Sequence, residues 1–372
     1  MTSAGETRKI RYAVVGAGNI TQVAVLPAFE HAAENSELVA LISGDEVKRE
    51  ELERRYKIRR TGGYDDFDRL MQSGEVDAVY LALPNTMHRD YTERAARAGV
   101  HVLCEKPMAM TEEDCEAMIR AADEGGVKLM IAYRLHFEEA NLQAIEAARS
   151  GLLGEVRVFS SVFTQQARAG DIRTRDDLGG GALFDLGIYC INAARNLFRA
   201  EPEEVHGYAV WDHDERFQGV DETATAVLRF PGERLAQITA SQALAGVSSY
   251  RIVGTQGDLR VEPAYEYACD LIHHLTVGDK TSERVFPQRD QFAPELLYFS
   301  RCILEGQEPE PSGAEGLADV RVLAAIQRSA REGRAIKLPP FERARRPDMG
   351  QEIHKPPVAN VEPVRAPSPS VS

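Results

Sequence analysis

The first third of the chain alternates runs that are apolar on both faces with polar, helix-period segments, and few folds accept that rhythm. The apolar runs are IRYAVVG (10–16), ELVALIS (37–43), VDAVYLAL (76–83), VHVLC (100–104) and VKLMIAY (127–133). Between them lie NITQVAVLPAFEHAA, DEVKREELERRY, DDFDRLMQSG, HRDYTERAARAG and TEEDCEAMIRAADEGG, each of helical character. A strand without a polar face must be covered on both sides, and helices crossing over a parallel sheet do this. The pattern predicts a Rossmann-type α/β domain over residues 9–134, behind a polar leader of residues 1–8.

After about residue 134 the rhythm changes. A helix over 138–150 precedes the period-two run EVRVFSSVFTQ, and a glycine-rich loop opens a helix in LGGGALFDLGIYCINAARNLF (178–198). The segments EEVHGYAVW, DETATAVLRF, ERLAQITASQAL and SSYRIVGTQGDLRVE then follow at hairpin-like spacing. This predicts an α+β domain over 135–340 with a large, mostly antiparallel sheet, closed by helices near 292–306 and 315–332. Residues 341–372 are rich in proline and poor in large apolar side chains. They are expected to stay disordered, or to lie as an extended arm on a neighbouring subunit.

Composition narrows the function classes. Acidic residues outnumber basic ones 58 to 44, a net charge of −14 that repels nucleic acid and anionic membranes. No apolar run approaches a membrane span, and the N-terminus shows no secretory pattern. The five cysteines, Cys104, Cys115, Cys190, Cys269 and Cys302, are odd in number and form no CxxC, which fits reduced thiols in a cytoplasmic protein. Metal-ligand spacing is absent: His273 and His274 are adjacent and would face opposite sides of a strand.

VVGAGNIT places Gly16 and Gly18 between the first strand and the first helix, followed by Asn19 and Ile20. Gly16 permits the tight turn, and Gly18 lets a pyrophosphate approach the helix N-terminus. Thr21 stands where the fingerprint has its third glycine. The strand–turn–helix context nevertheless supports dinucleotide binding. The second strand ends in Ser43-Gly44 with Lys48 and Arg49 close behind, which favours the 2′-phosphate of NADP over NAD, although Asp45 argues the other way.

Ligands of open α/β sheets sit beyond the C-terminal strand ends. LALPNTMH brings Leu83, Pro84, Asn85 and His88 to that edge, and CEKP brings Glu105 and Lys106, with Pro107 fixing the backbone in what could be a cis bond. Charges at the end of a buried strand must be solvated, paired or used, and here they point into the crevice. On the helix of the second domain, Asp185, Tyr189 and Asn192 share one face at i, i+4 and i+7. Arg134 and Arg173 are further candidates for cofactor phosphate or substrate hydroxyls. A surface Glu-Lys pair, a capping aspartate and a core tyrosine are the plain alternatives.

GAGNI, LPNTMH, AGVHVLCEKPMA, IAYRLHF, LGGGALFDLGIYCIN and PEPSGAEGLADVR, in this order, resemble the Gfo/Idh/MocA oxidoreductase family, in particular its glucose–fructose oxidoreductase-like branch. The resemblance runs from about residue 9 to 338. It implies Lys106 as the central catalytic residue, Asp185 and Tyr189 in the substrate pocket, and a homodimer or homotetramer formed through the open face of the second sheet. It further implies hydride transfer between NADP(H) and a carbinol or carbonyl carbon of a sugar or polyol, with Tyr189 exchanging the proton, Lys106 holding the oxygen and Asp185 orienting both. Two relatives of the same fold are the alternatives: a non-catalytic cofactor-binding regulator and an NAD-dependent glycosidase. The intact Lys106, Asp185 and Tyr189 set opposes the first; the lack of a histidine-containing pocket motif opposes the second.

Overall fold

Side chains from one strand enter two separate cores, as the doubly apolar pattern requires. The structure, a computed structural model, describes residues 8–371. The expected leader therefore falls almost wholly outside the described residues. In β1 (Ile10–Val15), Tyr12 and Val14 join one cluster while Ala13 and Val15 join the other. The remaining strands of this sheet are β2 (Ser36–Ile42), β3 (Arg60–Gly62), β4 (Ala78–Leu81), β5 (His101–Glu105) and β6 (Leu129–Ala132). They are all parallel, in the order β3-β2-β1-β4-β5-β6, so the order reverses between β1 and β4.

The covering helices are α1 (Leu26–His31), α2 (Glu46–Tyr56), α3 (Phe67–Met71), α4 (His88–Arg97) and α5 (Glu112–Gly125). Their ends follow local chemistry. Asp45 caps α2 by accepting from the Lys48 amide at 3.2 Å, and Thr111 caps α5 by accepting from the Asp114 amide at 3.1 Å. The first helix departs from its expected regular form: a π-turn over Thr21–Val25 precedes α1, where Pro27 removes an amide from the helical ladder.

The second domain holds α6 (Glu139–Arg149), β7 (Val156–Gln166), α7 (Ile188–Phe198), β8 (Glu204–Trp211), β9 (Asp221–Phe230), β10 (Arg234–Ser241), β11 (Ala243–Gly254), β12 (Gly257–Val261), β13 (Leu271–Val277) and β14 (Lys280–Phe286). After α8 (Ala293–Glu305) and α9 (Gly313–Glu332), β15 (Ile336–Lys337) completes a nine-stranded sheet. Its order is β14-β13-β12-β11-β7-β10-β9-β8-β15. In this sheet only the β7–β10 pairing is parallel among the described strands.

Helix α8 does not close the second domain as expected. It packs on the first sheet, where Ser300 bonds both Tyr12 Oη (2.9 Å) and Ser36 Oγ (2.8 Å), and Leu296 and Phe299 join the cluster of Tyr12 and Val14. The cluster on the other face of that sheet runs without a break through α9 and α7 to the second sheet, so the two domains share a core.

The tail is not disordered. It crosses its own chain in extended form, beginning with Arg343 on Glu310 at 2.7 Å and Arg346 on Glu201 at 2.7 Å. Beyond a short turn at Met349–Gln351 it reaches the first domain. Many of its contacts are polar and made one residue at a time, with only single apolar side chains such as Met349 and Ile353 packed against the cores, so a count of large apolar side chains does not register them. No helix among the described residues is long and apolar enough to cross a membrane.

Candidate active site

The nucleotide crevice opens where the strand order reverses. Gly16 there has φ +99°, and a Cβ on it would stand 2.1 Å from the Ala82 carbonyl oxygen, so only glycine fits. A Cβ on Gly18 would meet no atom within 4 Å, which leaves an open cradle above the turn for a pyrophosphate. Ile20 continues into the helix, while the Asn19 side chain donates to the Ala366 carbonyl at 2.8 Å. The residues present thus fit a dinucleotide.

At the end of β2, Ser43 is buried and its carbonyl accepts from Arg49 Nη1 at 2.6 Å. Gly44 is exposed, and the Lys48 ammonium makes no hydrogen bond or ion pair among the described residues. After β4, Leu83 and Pro84 lead to Asn85, whose Nδ2 donates to the Gly179 carbonyl at 2.7 Å and so joins the two domains beside the crevice. His88 is fully buried, with Nδ1 2.9 Å from the Pro107 carbonyl and Nε2 3.1 Å from the Leu83 carbonyl. Burial lowers its pKa and so favours the neutral ring, whose single N–H donates to one of these two carbonyls; the ring lies enclosed between the two strand-end loops instead of facing open space.

At the end of β5, Glu105 accepts from Tyr80 Oη at 2.7 Å, and burial pushes its carboxyl above the usual range. The Lys106–Pro107 bond is cis. The Lys106 side chain, 13% exposed, crosses to the second domain and donates to the Asp185 carbonyl (3.0 Å) and Oδ1 (3.2 Å). Its Nζ lies 4.7 Å from the Tyr189 ring centroid. Burial opposes the charged amine, yet Tyr189, Asp185 and Glu105 outweigh it and hold its pKa above the ordinary lysine value.

Asp185 sits on a π-turn, Leu183–Gly187, that leads into α7. Besides Lys106, its Oδ2 accepts from Arg173 Nε at 2.8 Å and from Gln242 Nε2 at 2.6 Å. Burial alone would raise this carboxyl, but Arg173 and Lys106 bring it down to about 2. Arg173 also holds Asp171 at 3.1 Å, so it ties the Asp185 carboxylate to the loop before the glycine run. Gln242, between β10 and β11, carries no sequence motif and was not singled out.

Tyr189 leans its ring edge-on to Phe163, 5.5 Å away, and faces Tyr265 at 5.9 Å. Its hydroxyl accepts from Arg134 Nη2 at 3.4 Å, and the Arg134 guanidinium lies 5.1 Å from its ring centroid. Arg134 also donates to the Tyr265 carbonyl at 2.5 Å and to Gln291 Oε1. Its expected role at cofactor phosphate is therefore replaced by a place beside the phenol. Asn192 lines the same cavity as Lys106, Arg134 and Tyr189, and its Nδ2 donates to Glu315 (2.6 Å) and Asp319 (2.8 Å) in a buried ionic cluster behind it.

Two family models match the chain, "Oxidoreductase family, NAD-binding Rossmann fold" over residues 10–133 and "GFO/IDH/MocA C-terminal domain" over residues 141–260. A D-xylose 1-dehydrogenase [NADP(+)] of Haloarcula marismortui is 33% identical over 336 residues, covering 88% of this chain and 93% of its own. An aldose-aldose oxidoreductase from Caulobacter crescentus, solved with glycerol, superposes with a TM-score of 0.84 at 39% identity, covering 89% of this chain and all of its own. A 3-ketoreductase from Actinomadura kijaniata, solved with NADP and TDP-benzene, gives 0.80 at 29% identity over 87% of this chain and 98% of its own. With both domains matched in order and the lysine, aspartate and tyrosine gathered at one crevice, the chain belongs to the Gfo/Idh/MocA family of oxidoreductases.

Proposed function

We propose that this protein transfers a hydride between NADP(H) and a carbinol or carbonyl carbon of a sugar or related polyol. The observation that carries the reading is the meeting of Lys106 from the first domain with Asp185 and Tyr189 from the second. The nicotinamide, when bound, supplies or accepts the hydride. The open cradle at Gly18 would hold the pyrophosphate, and Ser43, Gly44, Lys48 and Arg49 would face the adenosine end.

Tyr189 exchanges the hydroxyl proton of the substrate. Two of the three N–H groups of Lys106 are directed at Asp185, which leaves one for the substrate oxygen. Arg134 donates to the phenol oxygen and, as a permanent cation, favours the negative charge that forms there when the proton leaves. Asp185, clamped by Arg173 and Gln242, keeps the ammonium in place.

The same reading includes a homodimer or homotetramer through the outer face of the nine-stranded sheet and a cytoplasmic location. Val253, Val158 and Leu235 lie side by side across β11, β7 and β10, each more than a third exposed, with Tyr208 65% exposed on β8. All five cysteines are free thiols.

The test is a screen of purified protein with NADP⁺ and NAD⁺ against aldoses, inositols and the corresponding carbonyl compounds, following nicotinamide absorbance. Turnover that prefers NADP(H) and disappears in Lys106→Ala supports the reading. Absence of turnover with every sugar and polyol in both directions overturns it.

A further inference from the structure

The end of the tail crosses the mouth of the nucleotide crevice and carries one cation there. Gln22 holds Val364 twice, its Oε1 accepting from the Val364 amide at 2.7 Å and its Nε2 donating to the Val364 carbonyl at 3.0 Å. Asn19, beside the cradle, donates to the Ala366 carbonyl at 2.8 Å. Further on, the chain reaches the other domain. The Arg168 amide donates to the Pro369 carbonyl and the Val371 amide donates to the Gln166 carbonyl, each at 2.9 Å. The segment is thus fastened to the helix after the glycine turn at one end and to the tip of β7 at the other.

Arg365 lies between the two residues fixed by Gln22 and Asn19, in the left-handed region at φ +47°. A non-glycine residue stays there only when its surroundings dictate it. Its Nη1 is 3.6 Å from Asp45 Oδ1, and the two side chains remain 61% and 31% exposed.

We propose that Arg365 is a cofactor-specificity residue, supplying a cation for the 2′-phosphate of NADP(H) beside the end of β2. An acid in that region selects the free 2′-hydroxyl of NAD and repels a phosphate. Asp45 is such an acid, and Arg365 offsets its charge from the far end of the chain. The charges of Arg365 and Lys48 both act on this carboxylate, and the Arg49 guanidinium is held nearby on the Ser43 carbonyl. A segment that took the nucleotide's own place would present acidic groups where phosphates belong, whereas residues 363–371 contain no acid. The segment therefore complements the nucleotide instead of imitating it.

The inference rests on the NADP(H) reading above, and binding separates the two without any turnover. Cofactor-free full-length protein, Arg365→Ala and Arg365→Glu are each titrated with NADP⁺ and NAD⁺ by calorimetry. Arg365→Ala is expected to weaken NADP⁺ about tenfold, the size of one charge-assisted hydrogen bond, and to change NAD⁺ by less than about twofold. Arg365→Glu should weaken NADP⁺ further. Equal losses for both nucleotides, no loss, or tighter NADP⁺ binding would overturn the role of Arg365 while leaving the oxidoreductase reading intact. Unmodified protein that binds neither nucleotide would overturn both.

Discussion

The ammonium of Lys106 stands over the face of the Tyr189 ring, while the Tyr189 hydroxyl points to Arg134. Lysine and phenol therefore share the site without bonding each other, and the guanidinium holds the phenol oxygen. Tyr189→Phe should lower kcat by about a hundredfold or more, the usual range for removing a positioned proton-transfer group. The lost hydroxyl has one long bond, at 3.4 Å, so thermal stability should hardly change. Steady-state kinetics beside a melting curve checks both parts, and a large fall in melting temperature would contradict the geometry.

Asp185 links activity to acid stability. Its carboxyl is held near 2, below its unfolded value, by Arg173 and Lys106 against the opposing effect of burial. A depressed carboxylate stabilises the fold fully above its unfolded pKa, and that stability is lost as pH falls towards the folded value. The contribution is about 2 kcal/mol near neutrality. Asp185→Asn should unfold at lower urea at neutral pH and show a flatter decline between about pH 4 and pH 2. Urea titrations at several pH values measure this.

Local features of the site were legible in the sequence, and those made by distant segments were not. The GAGN turn, Glu105-Lys106-Pro107 and the LFDLGIY helix each place chemistry by short-range rules, and the structure brings Lys106, Asp185 and Tyr189 together. Gln242 reaches Asp185 from 57 residues away, and Arg134 reaches Tyr189 from 55, so no spacing rule could pair them. His88 looked like a cofactor contact because it follows a strand end, but its two carbonyl partners lie on separate loops. The apolar stripe of α8 reads the same for either domain. Its place is decided by Ser300 meeting Tyr12 and Ser36.

Asp221 gives a pH response of the opposite sign. It is 1% exposed; its Oδ2 accepts from the Leu183 amide at 2.7 Å, at the start of the turn that carries Asp185, while its Oδ1 has no partner. Burial raises its carboxyl to about 7, more than the Leu183 amide can offset. The folded state then binds a proton that the unfolded state has released, so stability falls as pH rises from about 4 to about 7 and levels off above. Asp221→Asn keeps an acceptor for Leu183 without the charge. It should be more stable than the parent at about pH 8, by a difference on the order of 4 kcal/mol, and nearly equal to it at about pH 3.5. Unfolding by urea at the two pH values decides this.

The root of the tail makes a separate contribution to stability. Arg343 is 2% exposed and pairs with Glu310 and Glu315, which are 4% and 0% exposed. Glu315 already shares Arg195 with Asp319 and Glu201, and Arg346 pairs with Glu201 as well. Removing one cation from this cluster leaves carboxylates buried without their counter-charge. Arg343→Met should therefore cost about 3–5 kcal/mol, the range for breaking a buried pair from one side. A chain ending at residue 356 keeps Arg343 and Arg346 and loses the segment over the crevice with the exposed stretch that leads to it, so its melting temperature should fall much less. If that shortened chain melted as low as Arg343→Met, the stability of the tail would reside in the crevice segment and the ionic cluster would be incidental.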